Sequence, residues 1–275
     1  MCIYQNTRSA LIGLIFQILI VHLHAECGLV DPHNNQNSIL PWTVNIYYQN
    51  ENNDYSFICS GTIISPKVII TAARCFYDEA AHNIKNYTYV LTVGQKSKDW
   101  NSSNEHKILS NNILIANQYK GKKNNYAYNI ALIKLDSNQK LNANMKMACV
   151  YWDNDFVEST LETNLIPLKV ISWLNTNNAF IVVSPTYVDY DVCQNSVSNT
   201  FRPFVTFDKM CGQLDGSHAI SSLGGGLFAL NRAKSRWYLI GVACETTISD
   251  SKTFMTFMKL QSHLNWISNN AFLDV

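Results

Sequence analysis

The chain has 275 residues, enough for one or two substantial hydrophobic cores. Lys and Arg number 21 against 20 Asp and Glu, so the charge balance gives no reason to expect nucleic acid or an anionic membrane as partner. Basic residues group only at Lys120, Lys122 and Lys123, which reads as a solvated loop. Taken in chain order, Arg8 and the apolar run from Ala10 to Val21 have the form of a signal peptide over residues 1–25, too short to span a bilayer and with Ala25 as the last residue before cleavage. No later stretch is apolar for long enough to cross a membrane, and the mature chain is expected to be secreted and extracellular. Short runs rich in Val, Ile, Tyr and Phe then follow at 43–48, 57–64, 67–73, 87–94, 129–135, 168–174, 238–244 and 253–258, with Gly, Asn, Asp and Ser in the gaps. That is the pattern of an all-β barrel or sandwich. Residues 259–270 place Leu260, Leu264 and Ile267 at helical spacing, which predicts a closing helix.

No repeat or low-complexity linker divides the chain, so the expected organisation is a signal peptide (1–25), an N-terminal segment (26–40) and one domain (41–275). Asn86-Tyr87-Thr88 and Asn101-Ser102-Ser103 fit the glycosylation sequon, which fits a secretory route. Cys2 falls in the leader. Cys27, Cys59, Cys75, Cys149, Cys193, Cys211 and Cys244 remain, and in an oxidising compartment they pair with one left over. No Cys/His spacing of a zinc site occurs, and neither metal nor cofactor is implied.

Several segments carry a recognisable signature. Pro41-Trp42-Thr43-Val44 resembles the PW-x-V opening of trypsin-like domains, and Cys59 to Ile64 resembles their C-G-G-S-L-I strand. Ile69 to Cys75 resembles the TAAHC loop, and Asn129 to Ile133 resembles DIALI. Ser221 to Leu227 resembles GDSGGPL, and Gly241 to Cys244 resembles GIVS. Order and spacing match over residues 40–270. The chain thus resembles the trypsin/chymotrypsin-like (S1) serine proteases, and within them the protease domain of insect modular serine proteases. The resemblance implies a double six-stranded antiparallel β-barrel with a C-terminal helix, and a site between the barrels. It also implies the pairs Cys27–Cys149, Cys59–Cys75 and Cys193–Cys211, with Cys244 unpaired.

The departures from the motif fall on its chemistry. Acyl transfer of this type needs a Ser nucleophile, a His base and an Asp that orients the His. The His position holds Arg74, whose guanidinium cannot be deprotonated in a protein. The Asp position holds Asn129, a neutral amide, and the Ser position holds Leu223, fixed in register by Gly224, Gly225 and Gly226. His33, His82, His106, His218 and His263 all lie off the motif. The family activates by a cut after a basic residue, and the new N-terminus pairs with the Asp before the nucleophile. Here that position holds Ser222, preceded by Ser221, and no Lys or Arg lies between Cys27 and Ser65. The oxyanion donors are then expected to be unorganised. The bridge that frames the family's substrate pocket is missing at Ala219, and Ser217 stands near the pocket base without an acidic residue. Cys244 reads either as an inert buried thiol or as one half of an intermolecular disulfide. Trp42, Trp173 and Trp266 read as packing residues, and Tyr119, Tyr126 and Tyr128 as an aromatic loop beside Asn129.

The expectation is therefore a secreted pseudo-protease. It would bind an extracellular protein, an active protease or its substrate, as partner, cofactor or decoy in a proteolytic cascade. The alternative is an active serine-type endopeptidase that uses atypical residues, such as Ser221 or Ser222 with His218.

Overall fold

A computed structural model describes residues 27–30, 40–50, 52, 54–94, 97–100, 107–110, 112–139, 145–152, 161 and 165–271. The expected signal peptide, most of the N-terminal segment (31–39), including His33, and also His106 and Asn101 lie outside the described residues. The first sheet is built from β1 (Thr43–Gln49), β2 (Tyr55–Ser65), β3 (Val68–Thr71), β6 (Thr88–Val93), β7 (Lys107–Ser110), β8 (Asn112–Ile115) and β9 (Ala131–Lys134), with a small hairpin of β4 (Tyr77–Asp78) and β5 (Asn83–Ile84) outside it. Its strand order is β7-β6-β1-β2-β3-β9-β8. The two end strands, β7 and β8, are neighbours in sequence. Counted as one strand that changes partner, they close the path into a six-membered barrel.

The second sheet repeats the device. It holds β10 (Cys149–Val150), β11 (Leu168–Leu174), β12 (Phe180–Val183), β13 (Thr186–Val188), β14 (Lys209–Asp215), β15 (Ile220–Ser221), β16 (Gly226–Asn231), β17 (Arg236–Ser249) and β18 (Lys252–Lys259). Its main path is β12-β11-β16-β17-β18-β14-β13, with the two-residue strands β10 and β15 attached to the side. Again the end strands are neighbours in sequence. Pro185 lies between them, and its lack of an N–H suits a break in the ladder. The all-β double barrel expected from the sequence is the observed fold.

Local chemistry explains the joints. β17 and β18 are joined by Asp250 and Ser251, with φ of 48° and 60°. Two consecutive left-handed residues make the two-residue turn whose twist suits a hairpin. After β13, α1 (Tyr190–Ser196) is capped by Asp189, whose side chain accepts from the Asp191 N–H at 2.9 Å. The closing helix α2 (Leu264–Ala271) follows a short 3₁₀ turn at Gln261–His263, and Leu260 and Ile267 are buried as their spacing predicts.

The main core runs through both barrels, from Trp42, Ile46 and Ile69 to Phe228, Leu239 and Val242. Trp42 meets Phe228 with ring centroids 5.5 Å apart, and Trp173 is also buried while Trp266 packs against the core edge. Disulfides close Cys27–Cys149, Cys59–Cys75 and Cys193–Cys211. Each typically contributes about 2–4 kcal/mol. The first ties the N-terminal segment to the domain. Gly28 N–H donates to Met147 O, and Trp237 N–H donates to Gly28 O, both at 2.9 Å. No helix among the described residues is long and apolar enough to cross a membrane.

Candidate functional site

Arg74, Asn129 and Leu223 come from three parts of the chain and converge where the barrels meet. Arg74 lies in a 3₁₀ turn (Ala73–Cys75) directly after β3, a turn held by the Cys59–Cys75 bridge. Its backbone N–H donates to Asn129 Oδ1 at 2.8 Å, at the entry to β9. Asn129 is fully buried. Its Nδ2 has no oxygen acceptor and faces the Cys244 thiol, a weak acceptor. Leu223 packs at the edge of the main core, and its carbonyl accepts from Ser60 N–H at 2.9 Å. Gly224 follows with φ of +78°, and a Cβ there would collide with Ser60 O and Thr71 Oγ1. That close approach seats the 222–226 turn against the first barrel.

The side chains at this junction are directed at one another. The Arg74 guanidinium pairs with Glu245 of β17 and lies over the Tyr126 ring, 4.5 Å from its centroid. Ser222 is buried and shares a hydrogen bond with Ser172 of β11. Ile220 and Ser221 pair with Leu174 and Trp173 of the same strand. Trp173 Nε1 donates to Ser60 Oγ at 2.9 Å and so crosses between barrels. On that flank the loop at Ser97 also bridges to Ala179, and Lys98 N–H donates to Asn178 O at 3.2 Å.

The sequence that builds this double barrel is matched by a known family. The sequence profile described as Trypsin matches residues 30–267. The chain belongs to the trypsin family. It is 27% identical over 237 residues to the "Modular serine protease" of Drosophila melanogaster, covering 80% of this chain and 37% of that protein. It is 24% identical over 263 residues to the "Clotting factor G beta subunit" of Tachypleus tridentatus, covering 89% of this chain and 78% of that one. It is 23% identical over 221 residues to the "CLIP domain-containing serine protease HP8" of Bombyx mori, covering 74% and 58%. The chain thus spans little more than a third of the first of these relatives and more of the other two.

In this trypsin-family chain, the candidate alternative pair does not meet. His218 Nε2 is bonded to Asp215 O at 2.8 Å and its backbone N–H donates to Thr253 Oγ1 at 2.8 Å, so the ring folds back on the end of β14. Among the described residues no histidine ring is bonded to Ser221 or Ser222. Ser217 and Ala219 are exposed in the same loop between β14 and β15. Cys244 is buried and free of a disulfide, and its sulfur contacts Val242 O at 3.4 Å. Burial pushes its thiol up from the ordinary value, with nearby Lys209 pulling the other way.

A network absent from the sequence reading lies beside the junction. Lys209 is buried at 2% exposure, and its Nζ donates to Asn125 O at 3.1 Å, Phe204 O at 3.0 Å and Thr206 Oγ1 at 2.9 Å. Burial lowers its pKa. Asp208 accepts from the Thr206 hydroxyl and, at 2.7 Å, from Tyr128 N–H. Glu79 accepts from Lys122 N–H at 3.1–3.2 Å. Two tyrosines of this loop turn inward: Tyr119 and Tyr126 are buried, Tyr126 against Phe204 and Tyr119 against Tyr77, while Tyr128 stays exposed with one face on His263. Asn125, Tyr126 and Tyr128 all have positive φ, 50–58°. For tyrosine that conformation is uncommon and persists where surroundings over-determine it. Glu245, Lys209 and Asp208 were missed because each acts through a partner remote in sequence. A charged residue directly after the apolar run 238–244 was the one available signal.

Proposed function

We propose that this chain is a secreted, non-catalytic member of the trypsin family that works by binding, as partner, cofactor or decoy in an extracellular proteolytic cascade. The observation that carries this reading is the engagement of Arg74. The residue at the base position is a permanent cation, paired with Glu245 and stacked on Tyr126, so nothing there can take a proton from a nucleophile. Leu223 offers no nucleophilic atom, and Asn129 directs Oδ1 at the Arg74 backbone. Ser222, where the resemblance expects a carboxylate to receive a new N-terminus, is satisfied by Ser172 instead. The Ile220–Ser221 segment that would have to present oxyanion donors is drawn into β11. A relative named as a clotting-factor subunit fits a cascade setting.

The same reading takes residues 1–25 as a cleaved signal peptide, 26–40 as a segment tethered by Cys27, and 41–275 as the protease-homologue domain. Asn86 lies exposed between β5 and β6 and is taken as a glycosylation site; Asn101 is taken as a second on its sequon alone. The deciding experiment is fluorophosphonate labelling of the secreted protein. No labelling is expected; stoichiometric labelling at Ser221 or Ser222 would overturn the proposal. The triple variant Arg74→His, Asn129→Asp, Leu223→Ser is also expected to show no amidase activity, because Ser222 and the segment before it still lack the activation switch. Robust turnover by that variant would show that the switch is dispensable.

A further inference from the structure

The loop from Lys120 to Tyr128 is a strap laid across from the first barrel to the second. Its inner side is fixed: Tyr126 and Tyr119 are buried, and the backbone is gripped by Glu79, Asp208 and Lys209. Its outer side is cationic. Lys120, Lys122 and Lys123 are exposed, and among the described residues none of them has an ion-pair partner. Of the nearby carboxylates, Glu79 accepts from Lys122 N–H, Asp208 from Tyr128 N–H and Asp189 from Asp191 N–H, while Asp191 is exposed next to Tyr190. In a chain of net charge +1, this concentration of cations is a local feature of one flank.

An apolar groove adjoins the strap. It has a volume of about 380 Å³ and is lined by Tyr190, Arg202, Pro203, Val205 and Phe207 among others. Thr206, also on its wall, accepts from Lys209 Nζ, and the same ammonium donates to Asn125 O of the strap. Groove and strap therefore share one buried clamp. Phe207 is 80% exposed and stacks on Tyr190 with centroids 4.5 Å apart. A large aromatic side chain left in water beside a preformed concavity marks a contact surface, and a rigid loop loses little freedom when it is engaged.

We propose that strap and groove together form a docking surface for an acidic, extended segment of a partner protein. Its carboxylates lie along Lys120, Lys122, Lys123 and Arg202, and one apolar side chain is seated against Tyr190 and Phe207. The groove decides for a polypeptide over a sulfated polysaccharide. Both satisfy the cations, but only a polypeptide supplies an apolar side chain for the aromatic pair. This deepens the binding reading above and is tested separately from it, because peptide binding is read whether or not the chain takes a fluorophosphonate label.

The test uses the full secreted chain and a fluorescein-labelled peptide of alternating glutamates around one central phenylalanine, followed by anisotropy at low and high salt. Saturable binding that weakens with salt is expected. Lys120→Ser/Lys122→Ser/Lys123→Ser is expected to weaken it about tenfold and flatten the salt dependence. Phe207→Ala is expected to weaken it about tenfold while leaving the salt dependence as it was. All four positions are exposed, so an unchanged melting temperature checks that the fold is kept. Absence of saturable binding, or binding that Phe207→Ala leaves untouched, overturns the proposal. So does tighter binding of a heparin-derived oligosaccharide that is insensitive to Phe207→Ala, since the surface would then be a plain polyanion site.

Discussion

The junction at Arg74 and the strap at Lys120–Tyr128 are neighbours, and both join the two barrels, yet they use polar groups in opposite ways. At the junction, charged and polar side chains close on each other: Arg74 on Glu245, Ser222 on Ser172, Trp173 on Ser60. Along the strap, the polar contacts grip the backbone from behind and leave the lysines facing water. The contrast separates side chains engaged with one another inside the molecule from cations left facing solvent on a fixed backbone.

Substitutions can break either side of this comparison. The largest effect is expected at the junction from Gly224→Ala, where a positive φ and a backbone collision combine. Chemical denaturation should show a loss of about 3–5 kcal/mol, or no folded protein. Next is Lys209→Met, which leaves part-buried acceptors from the strap and from the 204–206 turn without their donor. A loss of about 3 kcal/mol is expected, with proteolytic nicking in the 121–128 loop as the sign that the strap itself has come loose. Arg74→Ala should do far less. The ion pair is partly exposed, at 36% and 20% for the two side chains, and thermal unfolding should register a loss below about 1 kcal/mol. A large loss there would mean that the junction carries the fold more than the strap does.

The smallest expected effect is a pH slope from His263. Its ring is buried, contacts Met258 Sδ at 3.1 Å and packs on Tyr128. Burial lowers its pKa below the ordinary histidine value, with Asp208 opposing. The unfolded chain therefore binds more protons in the window below about 6.5, and stability falls as the pH drops through it. His263→Gln should flatten that part of a melting-temperature profile between neutral and mildly acid pH.

The parts of this molecule readable in the sequence are those where a residue's role is set by near neighbours or by a motif. The strands followed from short runs rich in Val, Ile, Tyr and Phe, and the closing helix from Leu260, Leu264 and Ile267. Its start falls later than the periodicity suggests, because Gln261–His263 winds as a 3₁₀ turn first. The three disulfides and the convergence of Arg74, Asn129 and Leu223 followed from resemblance. What stayed hidden depends on long-range pairing. Nothing in the sequence marks Lys209 as a buried cation, since two of its three acceptors are backbone carbonyls and one of these, Asn125 O, lies 84 residues away. Nothing local turns Tyr119 and Tyr126 inward either; they pack on Tyr77 and Phe204, both remote in sequence.

The way each barrel closes bears on how this chain can meet another protein. β7 and β8 in one barrel, and β12 and β13 in the other, are four, four, four and three residues long. The unpaired backbone they leave is too short to template an added strand. Among the described residues, edges this short favour recognition through side chains over extension of a sheet. Specificity is then written in a few replaceable surface residues, free to diverge while the barrels beneath stay fixed.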